Sequence, residues 1–175
     1  MYPEYNTFKY PKVGEANSTV SLHAFNVTSG QTKDLLIVNT SPEDDWHYLP
    51  RVQWTTEGDR LTAQRMNRHQ SKLELLLFDL SEDSQSTLLK EENKYYVDVH
   101  DNLTFLENGK EFIWTSEQSG FNHVYLYEMD KGMSSQITNG DWDVTNFYGL
   151  SDGQIYFQAA KNGPTDRQVL ARIPI

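Results

Sequence analysis

Cysteine is absent from this chain of 175 residues, and that one absence removes three chemistries. There are no disulfides, no thiolate metal sites and no cysteine nucleophile. The compartment stays open, because many secreted bacterial proteins lack cysteine too. Positive charge is scarce: 15 Lys and Arg stand against 25 Asp and Glu, a net charge of -10. A duplex-binding module needs cations to displace counterions from phosphate, so nucleic acid is excluded as a partner. No apolar run approaches the length of about 18 residues that marks a bilayer-spanning helix. The opening stretch MYPEYNTFKYPK has no apolar signal region, so any address lies outside this chain or does not exist. No glycine-rich phosphate loop precedes a helical pattern, so nucleotide binding has no support and no cofactor is expected.

What is present points to a packed β protein. Hydrophobic residues make up 37% of the chain and aromatics 13%, enough for a core and against a disordered tail. The length fits one domain or one piece of a larger one. No apolar stripe at i, i+3, i+4, i+7 persists for three turns; short alternating runs lie between Gly, Asn, Asp and Ser clusters instead. Val20–Val27 (VSLHAFNV) alternates and ends in the turn Thr28-Ser29-Gly30. Leu73–Leu80 (LELLLFDL) is denser, as a strand packed on both faces would be. Glu111–Thr115 and Val124–Tyr127 read as a strand pair joined through Ser119-Gly120-Phe121-Asn122. Gln154–Gln158 and Gln168–Ile173 form another, with Asn162-Gly163-Pro164 as the loop between them.

The hairpins repeat. The turn glycines of WTTEGDRL, TFLENGKEF and YGLSDGQIYF are Gly58, Gly109 and Gly153, spaced 51 and 44 residues apart. Each unit reads as strand, turn, strand, hairpin, strand and a weaker fourth strand such as Ser134–Ile137. Four-stranded units of this length are blades of a β-propeller. The expected fold is therefore all-β, a partial β-propeller of about three to four four-stranded antiparallel blades. Two units span residues 52–97 and 103–142, and partial ones span 20–40 and 147–175. A β-sandwich with irregular hairpins stays open beside it.

Longer motifs carry a family resemblance. FKYPKVGEANSTVSLHAFNV is similar to a segment linking two propeller blades in dipeptidyl peptidase IV and its bacterial relatives. YLPRVQWTTEGDRLTAQRMNRHQSKLELLLFD resembles the family's next blade. FLENGKEFIWTSEQSGFNHVYLYEMDKG, followed by QITNGDWDVTNFYGL, resembles the blade after that. The resemblance covers nearly the whole chain and makes residues 1–175 a segment of a propeller domain. It implies a serine exopeptidase that releases N-terminal Xaa-Pro dipeptides. There the Ser, Asp, His triad belongs to an α/β-hydrolase domain beyond Ile175, and the paired Glu that binds the substrate amine lies before Met1. The partners it implies are that domain, the rest of the propeller and a peptide substrate, in a periplasmic, cell-surface or secreted setting.

Candidate sites within the chain are few. A hydrolase of that type needs its serine in a G-x-S-x-G elbow, and SEQSG and VTSGQ lack the first glycine. No catalytic residue is therefore assigned here. The histidines His23, His47, His69, His100 and His123 show no metal-ligand spacing, so no metal is expected; His123 is read as a packing or capping residue. Asp44-Asp45 and Glu91-Glu92 are read as solvated loop charge, since neighbours on a strand point to opposite faces. Arg65 and Arg68 suit inter-strand ion pairs, with a tunnel-lining role as the alternative. Trp54 and Trp114 are read as core or inter-blade packing. The triplets at Asn17, Asn26, Asn39 and Asn102 match the glycosylation pattern at a level expected by chance.

Asp98, His100 and Asp101 stand apart. By the resemblance they lie where the family turns a segment toward the substrate cavity, although the aromatic-Arg pair of the mammalian enzyme is not kept. The expected function is thus a non-catalytic propeller segment that shapes and gates that cavity. The competing reading is a stand-alone binding module that presents its loops to a partner. Open sheet edges in a fragment would favour self-association or strand swapping.

Overall fold

The computed structural model describes residues 2–9, 12–41, 45–163 and 165–172. Tyr10 and Pro11 of the YPK motif, Asp44, Pro164 and residues 173–175 lie outside them. Thirteen strands and no helix occur among the described residues. They form four antiparallel sheets in chain order. The first pairs β1 (Val20–Phe25) with β2 (Thr32–Val38). The second has β3 (Trp46–Trp54), β4 (Arg60–Asn67), β5 (Lys72–Asp79) and β6 (Ser84–Glu92) side by side. The third has β7 (Thr104–Phe105), β8 (Glu111–Ser116), β9 (His123–Glu128) and β10 (Gly132–Gln136). The fourth has β11 (Val144–Ser151), β12 (Gln154–Ala159) and β13 (Gln168–Arg172).

The period of two along each strand decides which sheet packs on which. On β5, Leu73 and Leu75 join the core shared with Phe112, Trp114, Tyr125 and Tyr127 of the third sheet. Leu76 and Phe78 point the other way, onto Leu22, Leu35 and Leu36 of the first sheet. On the third sheet, Ile113, Val124 and Leu126 turn from that shared core to Val144, Ile155, Phe157 and Ala159 of the fourth. The dense LELLLFDL run is therefore a strand buried on both faces, as its composition predicts. Full burial of a Leu or Phe contributes roughly 1.5–3 kcal/mol, so the two inner sheets hold the stack together. A shift in pairing between Leu75 and Leu76 leaves Leu88 unpaired opposite them, and Leu88 and Leu89 both enter the same core.

Turn chemistry closes the hairpins at one end. Asp152 and Gly153 have φ of 50° and 69° between the paired residues Ser151 and Gln154. Positive φ at both central residues is the two-residue turn whose twist matches its strands, and an Asp-Gly pair supplies it. The opposite end carries the longer segments 93–103, 117–122 and 137–143.

One polar network is buried among the strands. Glu74, 5% exposed, receives Arg65 across β4 at 2.5 Å and Lys90 across β6 at 2.7 Å. Arg65 also lies over the Trp46 ring, 4.3 Å from its centre. Arg65 thus makes an inter-strand pair with a carboxylate that is buried rather than on the surface. Burial alone would raise the Glu74 pKa, but hydrogen bonds from Lys90 and Arg65 outweigh it and the net shift is downward. A depressed carboxyl stabilises the fold above its unfolded pKa, and that contribution is lost as pH falls through the folded value. Arg65→Met leaves Glu74 with Lys90 alone and should cost about 2 kcal/mol at neutral pH. Urea denaturation should show that loss shrinking in acid; an equal loss at both pH values would refute the assignment.

Candidate functional site

The segment from Asn93 to Leu103 leaves the outer strand β6 and crosses to β7 at the loop end. Two apolar side chains pin it: Val97, 5% exposed, and Leu103, 6% exposed, both in the core between the second and third sheets. The Val97 N–H also donates to the Gln70 carbonyl at 2.8 Å. Between these pegs the segment bears Asp98, His100 and Asp101, with Asp98 and His100 lining a cleft of about 290 Å³. Its walls include Glu91, Tyr96, Ser116, Glu117 and Asn122.

His100 is held in one tautomer. Its Nε2 lies 2.7 Å from the Thr115 carbonyl, which can only accept, so Nε2 carries the proton. Its Nδ1 accepts from the Asn102 N–H at 3.3 Å, and the Asn102 amide donates to the Thr115 hydroxyl at 2.9 Å. The ring sits 4.2 Å from the Trp114 ring centre. Burial lowers the His100 pKa, against the smaller raising effects of the Thr115 carbonyl, Asp98 and Asp101. The imidazole is therefore a neutral clip between this segment and β8.

Asp101 lies on the other side of the segment and ties it to the neighbouring sheet. Arg51 on β3 reaches it with Nε and with Nη2, the latter at 3.3 Å. The hydrogen bond from Arg51 holds the Asp101 carboxyl below its usual range. The same offset of 50 residues recurs where Gln53 donates to the Leu103 carbonyl at 3.4 Å and Thr56 to that of Leu106 at 3.5 Å. Equivalent positions of the second and third sheets thus lie side by side where β3 meets the segment leading into β7.

Glu91 is the residue that sequence reasoning misplaced. It lies on β6, not in a loop, and faces the same core as Leu73 and Leu89, while Glu92 points outward to Lys72 at 3.8 Å. Glu91 Oε1 accepts from Trp114 Nε1 at 2.9 Å, a bond between sheets. Burial raises its pKa, opposed by hydrogen bonds from Ser116 and Trp114, with Glu117 adding repulsion. The signal was in the alternation itself: counting in twos from Leu89 turns Glu91 inward. Arg51 was likewise recoverable from the repeat spacing applied to Asp101.

The other candidates resolve as structure. His123 is buried, with Nε2 donating to the Gly140 carbonyl at 3.0 Å and Nδ1 accepting from the Thr138 hydroxyl at 3.1 Å. Ser119 of SEQSG lies in the β8–β9 turn, bonded to the Tyr125 hydroxyl at 2.9 Å. His23 contacts Asp34 at 2.7 Å and Ser21 at 2.8 Å on the first sheet. Among the described residues, no three His, Asp or Glu side chains form a group able to hold a metal ion. Arg68 donates to the Tyr48 hydroxyl at 2.6 Å rather than to a carboxylate. Trp114 is fully buried as expected, whereas Trp54 is 50% exposed and is not a core residue here.

Four sheets stacked face to face in chain order make this molecule an arc of a β-propeller. A family model described as the dipeptidyl peptidase IV N-terminal region matches residues 1–171, and the chain belongs to that family. Dipeptidyl peptidase 4 of Trichophyton equinum and that of Trichophyton rubrum are each 30% identical over 176 residues, which is 96% of this chain. The crystal structure of Porphyromonas gingivalis dipeptidyl peptidase 4 superposes with a TM-score of 0.83 at 38% identity, over 97% of this chain. This chain spans 22% of the length of those two fungal relatives and 24% of the crystallised chain.

Because its pKa is raised, Glu91 favours the fold most when protonated, and that contribution is lost as pH rises through its folded value. Glu91→Gln keeps an acceptor for Trp114 Nε1 and removes the charge. It should raise stability by about 1 kcal/mol at neutral pH, with the gain fading in acid. Thermal denaturation across that range checks this; a destabilised Gln variant at neutral pH would count against it.

Proposed function

We propose that this chain is the part of a dipeptidyl peptidase IV-like serine exopeptidase that walls and gates the substrate cavity, while bond cleavage is done elsewhere in the longer protein. The observation that carries this reading is the family match over residues 1–171 by a chain spanning about a quarter or less of its relatives' length. In this reading the substrates are peptides with a free N-terminus and proline at the second position. The Ser, Asp, His triad comes from an α/β-hydrolase domain. A periplasmic, cell-surface or secreted setting goes with this; no helix among the described residues is long and apolar enough to cross a membrane.

Asp98, His100 and Asp101 are the proposed cavity-facing residues. Their support is local: the segment that bears them is pegged at both ends, clipped by His100 and tied by Arg51. Such over-determined positioning suits a segment that must present Asp98 at a fixed place. The blades are proposed to occupy residues 52–97 and 103–142, with partial ones at 20–40 and 147–175.

The remainder of the propeller is the proposed neighbour of the first sheet. That sheet has two strands where the next two sheets have four. A groove lined by Phe25, Val27 and Trp54 lies beside it, and all three side chains are exposed. By the repeat, the missing strands would cover it as the inner strand of the third sheet lies against β3. The alternative reading, a stand-alone binding module, would leave that apolar groove open in a free monomer.

Purified 175-residue protein should not turn over a Gly-Pro amide; turnover blocked by a serine-reactive reagent would sink the proposal. In a longer enzyme bearing this segment, Arg51→Ala should raise KM for peptide substrates severalfold with kcat nearly unchanged, the signature of lost uniform binding. An unchanged KM would remove the segment from the cavity wall.

A further inference from the structure

The structure assigns Asn139 as a spontaneous covalent modification site, where the Asn139–Gly140 peptide converts through a succinimide to aspartate and isoaspartate. The chemistry is intramolecular. The Gly140 backbone nitrogen loses its proton and attacks the Asn139 side-chain carbonyl carbon, and the amide nitrogen takes up a proton and leaves as ammonia. Water then opens the five-membered imide at either carbonyl, restoring the ordinary main chain as aspartate or rerouting it through the side chain as isoaspartate. Glycine in the second position removes the Cβ that would otherwise crowd the attack.

Three Asn–Gly pairs occur in the sequence, and local structure separates them. Asn108 is fully engaged: its oxygen accepts from the N–H groups of Lys110 at 2.9 Å and Glu111 at 3.2 Å, and its nitrogen donates to the Glu111 carboxylate at 2.6 Å. The Gly109 N–H is also spent, on the Leu106 carbonyl at 3.1 Å. Asn162 is partly engaged, donating to Asp166 at 2.8 Å, with the Gly163 N–H 3.4 Å from the Ala160 carbonyl. Asn139 is exposed, and neither its side chain nor the Gly140 N–H has a hydrogen-bond partner among the described residues. Its amide is free to swing onto a nitrogen that is free to attack.

The consequence reaches the cleft. The Gly140 carbonyl accepts from His123 Nε2 at 3.0 Å, and the His123 ring meets Trp142 edge-on at 5.0 Å. Gly140 has φ of 131°, and a Cβ there would lie 2.2 Å from Trp142 Nε1, so this turn has no slack. Three residues on from Gly140 comes Asp143, whose carboxylate accepts from the N–H of Asn122 at 2.8 Å, and Asn122 lines the cleft. An isoaspartate at 139 inserts a methylene into the main chain and moves the Gly140 carbonyl away from His123.

The test ages the folded 175-residue protein at mildly alkaline pH. Peptide mapping by mass spectrometry and labelling with an isoaspartyl methyltransferase then follow all three sites. Asn139 should show the mass gain of amide-to-acid conversion severalfold faster than Asn162, and Asn108 should be slowest. Asp166→Ala should bring Asn162 toward the Asn139 rate and leave Asn139 unchanged, while in urea the three rates should converge. Conversion of Asn108 or Asn162 as fast as Asn139 in the folded protein would overturn the assignment. So would an Asn162 rate indifferent to Asp166→Ala in a variant with the native circular dichroism spectrum.

Discussion

The molecule depends on one constraint: each inner sheet must bury both of its faces. A strand presents alternate residues to opposite sides, so a sheet with apolar side chains on both cannot rest against water on either. The second sheet meets this with Leu73 and Leu75 on one face and Leu76 and Phe78 on the other. The third does so with Phe112 and Trp114 against Ile113 and Val124. Stacking is the only way to satisfy both, and it places the loop-end segments of successive sheets side by side. The cleft exists because that stacking brings β6, the crossing segment and the β8–β9 turn to one place.

Polar groups inside the stack mark where geometry matters more than burial. Glu91 bridges two sheets through Trp114, and His100 clips the crossing segment to β8. Glu74 is bracketed by two cations within one sheet. A buried carboxylate left alone would cost several kcal/mol, so its partners are constrained in position as well as in kind. Glu74 and Glu91 both lie on the second sheet near its loop end, on β5 and β6.

The terminal sheets differ from the inner ones. The first has two strands, and exposed Phe25, Val27 and Trp54 beside it. The fourth buries Ile155, Phe157 and Ala159 on its inner face and leaves Tyr148 and Val169 exposed. Trp54 is half-exposed beside the groove next to that two-stranded sheet. Its place in the pattern says apolar contact, and only an adjoining strand can provide it.

Local patterning alone determined the all-β class, the hairpins around Gly109 and Gly153, the doubly buried β5 and the spacing of the repeats. These rest on side-chain alternation and on which residues tolerate a turn, and both are properties of short stretches of chain. Asp98, His100 and Asp101 were singled out by the family resemblance and not by patterning. What the tertiary structure decided was the company these residues keep: Asp101 with Arg51, His100 with Thr115, Glu91 with Trp114. The separations run from 15 to 50 residues, and no window short enough to carry an alternation signal spans them. Glu91 makes the division plain. Adjacent carboxylates in a polar stretch look solvated, yet the strand pairing Leu73 to Glu91 turns one of them into the core. Register is a long-range choice, and burial follows from register.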